Sequence, residues 1–298
     1  TYFDKVQRMR KLGALISDEL LISKEKVELS ASICKTDLMS ESVGEFPELQ
    51  GVLGGYLSQA QGFDKDIVEA IKEQYLPIGL NSALPRKPFN ITLSISDKID
   101  TLVGFFGINE KPSSSKDPYA LRRTALGIIR IIIENKRDLK ISDLASYSSN
   151  TYLDQGFSFS NNTLQKDILN FLKDRFRYYL KEKNIRHDII DAASNVFNLN
   201  SISAVFEKAK SFNKVINKTI GEDIISSYKR ASNILHSEVK DIDKDLTNMT
   251  DPGIFKNDFE KDLYEKTNEL KKYFSGISKT QDFDNILVLL STAKKEIF

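Results

Sequence analysis

Carboxylates and cations, rather than imidazoles, are the reactive side chains of this 298-residue sequence. It has two histidines, His187 and His236, and none in the first 186 residues. A transition-metal hydrolase centre needs neutral imidazoles and carboxylates converging on one cation, which then acidifies a water. The N-terminal half lacks the imidazoles. Asp37, Glu45, Glu48, Asp97 and Asp100 remain as oxygen ligands of the kind Mg²⁺ accepts. The competing reading has Asp97 and Asp100 capping or pairing locally. It is the one expected here, so no catalytic residue and no metal ligand is assigned. His187-Asp188 reads as a solvated helix start. Cys34 has no histidine in its half to activate it and shares helical spacing with Ala31 and Leu38, as a buried core thiol would. No Gly-rich phosphate loop of Walker type occurs. Gly51, Gly54 and Gly55 fall within helical periodicity and suit close helix packing.

Two stretches could hold phosphate. In Ser113-Ser114-Ser115-Lys116-Asp117-Pro118-Tyr119-Ala120-Leu121-Arg122-Arg123, one reading is a helix start, with Asp117 as cap and Pro118 at the first position. The other is a phosphate grip, with Lys116 before free helix N–H groups and the serines as added donors. Both stay open for Lys116. Arg122 and Arg123 point to different faces, which favours structure. The second stretch, Gln165 to His187, holds seven cations against three carboxylates, a net +4. Its cations Lys173, Arg175, Arg177, Lys181, Lys183 and Arg186 interleave with Phe171, Phe176, Tyr178 and Tyr179. Cations bind phosphates and exposed rings stack unpaired bases, so the composition suits RNA. An amphipathic helix burying Ile168, Leu172, Phe176 and Tyr179 gives the same pattern.

Helices must position these residues. Val6, Met9, Leu12, Ile16 and Leu20 recur in steps of three and four, as do Leu49, Val52, Leu53, Tyr56, Leu57 and Ala60 behind Pro47. Ile67, Ala70, Ile71 and Tyr75 make a third helix, and Ile91, Ile95, Ile99, Leu102 and Phe106 a fourth. Ile91 to Ile95 also alternates like a strand, but the four-residue spacing continues past it. A fifth follows Asp117, with Leu121, Ala125, Ile128 and Ile132 inward. The polar stretch 146–162 is expected to break the periodicity and mark a domain boundary. Helical patterns then resume over 164–183, 188–197, 202–216, 222–239, 255–274 and 284–298. No internal repeat occurs.

Charged residues make up 29% and apolar ones 40%, the balance of a globular protein with room for two domains. A net charge of +1 excludes a uniformly basic coat but not local basic patches. One cysteine forbids an intrachain disulfide and suits a reducing compartment. The longest apolar run, 125–133, is broken by Arg130 and is too short to cross a bilayer.

Five segments in register carry a family resemblance. They are Lys35-Thr36-Asp37-Leu38-Met39, Glu45-Phe46-Pro47-Glu48-Leu49-Gln50-Gly51, Ser96 to Gly104 (SDKIDTLVG), Ser115 to Arg123 (SKDPYALRR), and Lys229-Arg230-Ala231-Ser232-Asn233-Ile234-Leu235. In this order the chain resembles the β subunits of bacterial heterotetrameric glycyl-tRNA synthetases. The resemblance implies a C-terminal fragment, since the family extends before a segment like 4–9 and after one like 294–298. It implies an all-α fold: an HD-like helical domain with a degenerate metal site over 1–150, then an all-helical anticodon-binding-like domain, truncated, over 151–298. Ser96-Asp97-Lys98-Ile99 resembles the last metal-binding element of HD phosphohydrolases, but the histidines that family uses are missing. The implied role is tRNA recognition and scaffolding in the cytoplasm, with glycine tRNA and the α subunit of an α2β2 assembly as partners. ATP and Mg²⁺ would act at α, leaving this chain without a cofactor or active site of its own. Lys116, Arg122, Lys173, Arg175, Arg177, Tyr178, Lys229 and Arg230 are then the candidate tRNA contacts. Lys229 shares a helix face with Asn233, and Arg230 with Ile234. The rival reading is an HD-fold metal-dependent nucleotide phosphohydrolase; a third is a protein-only scaffold.

Overall fold

The computed structural model describes residues 1–137, 139–238, 251–275 and 283–292, and every regular element among them is helical. The expected all-α class holds. In chain order the helices are α1 (Tyr2–Leu20), α2 (Lys24–Ile33), α3 (Glu41–Glu45), α4 (Val52–Ala60), α5 (Lys65–Glu73), α6 (Pro88–Gly107) and α7 (Leu121–Asn135). There follow α8 (Ile141–Asp154), α9 (Leu164–Glu182), α10 (His187–Asn195), α11 (Ile202–Val215), α12 (Thr219–Glu238), α13 (Asp258–Ser275) and α14 (Phe283–Thr292). The chain divides into two compact units. The first comprises 1–184 and 194–205, the second 185–193 and 206–298. Helices α10 and α11 span that division.

Helix α6 is the axis of the first unit. It packs on α1, α2, α5, α7, α8 and α9 and is buried on nearly every side, charged residues included. Covered all round, it has no single apolar stripe, and Thr92, Ser94, Asp97, Lys98 and Asp100 are buried along with its apolar residues. That is why Ile91 to Ile95 mimics strand alternation: the residues between the isoleucines are buried too. Around it, α1 buries Val6, Met9, Leu12 and Ile16, and α7 buries Leu121, Ala125, Ile128 and Ile132. Cys34 lies fully buried in the cluster of Met9, Ala31, Ile67, Ala70, Ile71 and Leu93. Burial pushes its thiol up to about 12. In the second unit α12 packs on α14.

Three local expectations need correction. The helix expected from Pro47 begins at Val52. Pro47–Leu49 is a single tight turn, and Gly51, at φ +79°, interrupts it before α4. Pro118 is not the first residue of α7: Ala120 takes a left-handed φ of 52° and the helix starts at Leu121. Asp117 still caps it, accepting the Leu121 and Arg122 amides at 2.8 and 3.0 Å. The polar stretch 146–162 does not end the helical pattern, because α8 runs through its first nine residues with Ser148 and Thr151 buried. Polar side chains that return hydrogen bonds to their own helix, as Thr151 does to Ser148 O at 2.7 Å, tolerate burial. Helix α2 had no counterpart in the periodicity.

Candidate functional site

The motif residues of α6 hold a buried ionic cluster. Asp97 and Asp100 lie three residues apart on the face that meets α1. Asp97 Oδ1 lies 3.0 Å from Lys5 Nζ and 3.1 Å from Lys35 Nζ. Burial alone would raise this carboxyl. The ammoniums of Lys35, Lys5 and Lys98 overturn that and hold it well below the usual carboxylate range. Burial likewise opposes the Lys35 charge, and Asp97 more than restores it. Lys35 also sits 4.1 Å above the Tyr75 ring, and Lys5 donates to Thr101 Oγ1 at 2.6 Å.

Asp100 is clamped by Arg8. The guanidinium donates from Nε to Oδ1 at 2.6 Å and from Nη2 to Oδ2 at 3.0 Å, the bidentate geometry of the strong pairs. Arg8 stacks 3.7 Å from the Tyr152 ring centroid, and Nη1 donates to Gln155 Oε1 at 2.7 Å. Tyr152 Oη donates to Asp100 O at 3.0 Å. Burial, then the Asp100 charge, pushes the phenol above its usual range. Lys98 points elsewhere. Its ammonium donates to Ser94 Oγ at 2.7 Å, Leu76 O at 2.8 Å and Gln74 O at 3.4 Å. Burial lowers it to about 7.

A cavity of about 330 Å³ opens beside this cluster, its wall including Glu48, Tyr75, Asp97, Lys98, Thr101 and Arg123. The candidate magnesium ligands do not gather there. Asp37 turns inward and accepts the Gly51 and Gly54 amides at 2.6 and 3.1 Å. Glu45 and Glu48 are exposed, and Asp97 and Asp100 face cations. Among the described residues no three His, Cys, Asp or Glu side chains converge to hold a metal. His187 is exposed, 3.1 Å from Asp191.

Of the cation partners, Lys5 and Arg8 were not singled out from the sequence, and Lys35 stood there only as the first residue of a family segment. The signal for two of them was present: Lys5, Arg8, Leu12 and Ile16 form one stripe of α1, so the two cations continue an apolar face inward.

The candidate RNA contacts are scattered. Lys116 is exposed, in a turn where its amide donates to Ser113 Oγ at 3.2 Å. Arg122 is half-buried and donates through Nη2 to Ser113 O, so it braces that turn. On α9 the core face is Ile168, Leu172, Phe176, Tyr179 and Leu180. Lys173, Arg175 and Arg177 are half-buried and Tyr178 exposed. Lys173 and Arg177, four apart, share one side of the helix; Arg175 and Tyr178, three apart, share another. Arg175 lies 5.9 Å from both the Phe171 and Tyr178 rings. Lys229 and Arg230 are exposed on α12, in the second unit.

An ionic core of buried motif residues with basic side chains at the surface describes a helical protein whose motifs brace its fold. Comparison with known proteins gives the family. Residues 1–195 match the family model described as glycyl-tRNA synthetase beta subunit. The chain is 38% identical over 289 residues to the glycine–tRNA ligase beta subunit of Rickettsia canadensis, covering 97% of this chain and 41% of that protein. The proteins of the same name from Rhodospirillum centenum and Cereibacter sphaeroides are 36% and 32% identical, over 85% and 94% of this chain and 35% and 40% of theirs. The chain belongs to the glycyl-tRNA synthetase beta subunit family. It spans about two fifths of the length of these relatives.

Proposed function

We propose that this chain is the tRNA-contacting, scaffolding part of a glycine–tRNA ligase β subunit. In this reading it supports ATP- and Mg²⁺-dependent charging of tRNA with glycine at a separate α subunit, within an α2β2 assembly of the cytoplasm. Family membership supports the aminoacylation role. The observation that carries the non-catalytic part is the state of Asp97. Its charge is compensated by Lys5 and Lys35 at 3.0 and 3.1 Å, so the carboxylate acts as a brace between α1, α6 and the segment after α2. We read the N-terminal part as a degenerate HD-like domain on the same ground, with lysine ammoniums beside the motif carboxylate. The part after about residue 150 is read as anticodon-binding-like. The half-buried Lys173, Arg175 and Arg177 and the exposed Tyr178 of α9, with Lys229 and Arg230 of α12, supply phosphate and stacking contacts.

The test is a titration of the full β subunit, with and without α, against glycine tRNA, its anticodon variants and an unrelated tRNA at two salt concentrations. Preferential binding of glycine tRNA that weakens with salt is expected. Equal, weak binding to all would overturn the tRNA role, and aminoacylation by β alone would overturn the division of labour.

A further inference from the structure

Bracing of the fold accounts for only part of the motif residues. Four of the five sequence segments meet at the cavity of about 330 Å³. Glu48 and Gln50 line it from the second segment, Asp97 and Lys98 from the third, Ala120 and Arg123 from the fourth. Lys35 of the first stands behind the wall, 3.1 Å from Asp97 Oδ1. Asp97, Lys98 and Lys35 are buried and tie elements together, but Glu48, Gln50 and Arg123 are exposed. Exposed side chains contribute little to the fold. Polar groups from separate segments converging on one concave opening are what a ligand site needs.

Charge gives the sign of the ligand. The ionic cluster to which Asp97 and Lys98 belong sets four cations, Lys5, Arg8, Lys35 and Lys98, against two carboxylates, Asp97 and Asp100. Burial lowers Lys98 to about 7, so near neutral pH the surplus lies between one and two positive charges. At the rim, Glu48 offsets Arg123. Asp117 is engaged by the Leu121 and Arg122 amides at the start of α7. A cationic surplus beside a concave, partly apolar wall attracts an anion.

The free donors narrow its chemistry. The Arg123 guanidinium has no ion pair or hydrogen bond among the described residues. The Arg123 amide, third in α7, is likewise without a partner among them, because the Asp117 cap takes the two before it. A guanidinium fork and an open N–H at a helix start suit phosphoryl oxygens. Tyr75, Pro77 and Ile78 form another side of the same cavity. Its volume is that of a small-molecule pocket and exceeds what a bare ion fills.

We propose that this cavity binds a small phosphorylated molecule, its phosphoryl group held by Arg123 and the start of α7, its organic part against Tyr75, Pro77 and Ile78. Calorimetric titration of the full β subunit, without tRNA or α, tests it with AMP, ribose 5-phosphate, adenosine and inorganic phosphate at constant ionic strength. At least one of the two phosphorylated probes should bind at one site per β, roughly tenfold or more tighter than adenosine and phosphate. Two variants address the cavity: R123E reverses its free cation, and I78W fills it from a position 57% exposed. Both positions are exposed, so melting should be unchanged. Each should weaken the phosphorylated probe roughly tenfold or more. K65A, which removes an exposed cation elsewhere in the same unit, should change nothing. No saturable binding of either phosphorylated probe overturns the proposal. So does binding that R123E and I78W leave intact, which would place the probe elsewhere on β. Adenosine binding as tightly as AMP overturns the phosphoryl assignment, and phosphate binding as tightly as both phosphorylated probes overturns the organic part. Each of these failures leaves the tRNA reading untouched, since neither tRNA nor α is in the titration.

Discussion

At the scale of single residues, the same carboxylate is open to two chemistries and its neighbours decide between them. Asp97 would be a metal ligand beside imidazoles; beside Lys5 and Lys35 it is a counter-ion. Removing it takes the buried counter-ion from Lys35 and leaves Lys5 with Asp100 Oδ2 at 3.8 Å. Asp97→Ala should therefore destabilise the protein by about 3–5 kcal/mol, as breaking buried pairs does; in the proposed role, glycine tRNA affinity should be unchanged wherever the fold persists. Unaltered melting with lost tRNA binding would return Asp97 to a ligand role. Its carboxyl is held below its ordinary value in the fold. Its contribution is thus complete above about pH 4 and lost on further acidification. Lys98 has the opposite sign. Burial lowers it from 10.5 to about 7, so between those values the unfolded chain binds more protons than the folded one. Stability then rises with pH across that window. Urea unfolding at pH 7 and pH 9 should show wild type gaining on Lys98→Met. A constant difference would mean the ammonium stays charged, held by Ser94, Leu76 O and Gln74 O.

At the scale of elements, periodicity was enough wherever a helix has one buried stripe. Helices α1, α5 and α9 have such stripes, and most of each core face was legible, though Tyr75, read into the α5 stripe, lies beyond a helix that ends at Glu73. It failed where local chemistry overrides the stripe. Gly51 stops a helix whose apolar spacing continues, because a left-handed residue breaks the hydrogen-bond ladder while the spacing runs on. Helix α8 hid behind serines and asparagines, since composition alone reads them as loop. The ionic cluster was only half legible: Asp97 and Asp100 stood out, but partners 92 and 62 residues away in sequence announce no pairing until the helices pack. On α9 the division between Tyr178 and Tyr179 gives a direct test. Tyr179 is 1% exposed, so Tyr179→Ala should lower stability by about 3–5 kcal/mol through cavity formation. Tyr178 is 42% exposed. Tyr178→Ala should leave melting unchanged and, in the proposed role, reduce glycine tRNA affinity by about 1–3 kcal/mol. Because Lys173 and Arg177 lie on a different side of α9 from Arg175, the pair K173A/R177A and the single R175A should differ in their effect on the salt slope of binding. Equal slopes in all three proteins would place RNA away from this helix.

At the scale of the whole chain, a net charge of +1 means that any tRNA affinity rests on local groups and not on an overall field. The two compact units set where the chain should open. Residues 146–154 are helical with buried Ser148 and Thr151. Beyond them, Asn161 is buried and donates to Phe106 O and Asp167 Oδ2, both at 3.0 Å. A protease needs a backbone it can extend, and this one is committed to a helix and then to side-chain ties. The end of α9 is different. Lys181 to Asn184 are exposed, Asn184 has φ 56°, and the first unit gives way to the second at residue 185. Limited trypsin digestion should therefore cut at Lys181, Lys183 or Arg186 before Lys166, since 146–162 holds no lysine or arginine, and mass spectrometry would identify a stable fragment ending there. First cleavage at Lys166, just after α9 begins, or a chymotryptic cut at Tyr147 or Phe157 faster than any beyond residue 180, would put the weak point back in the polar stretch.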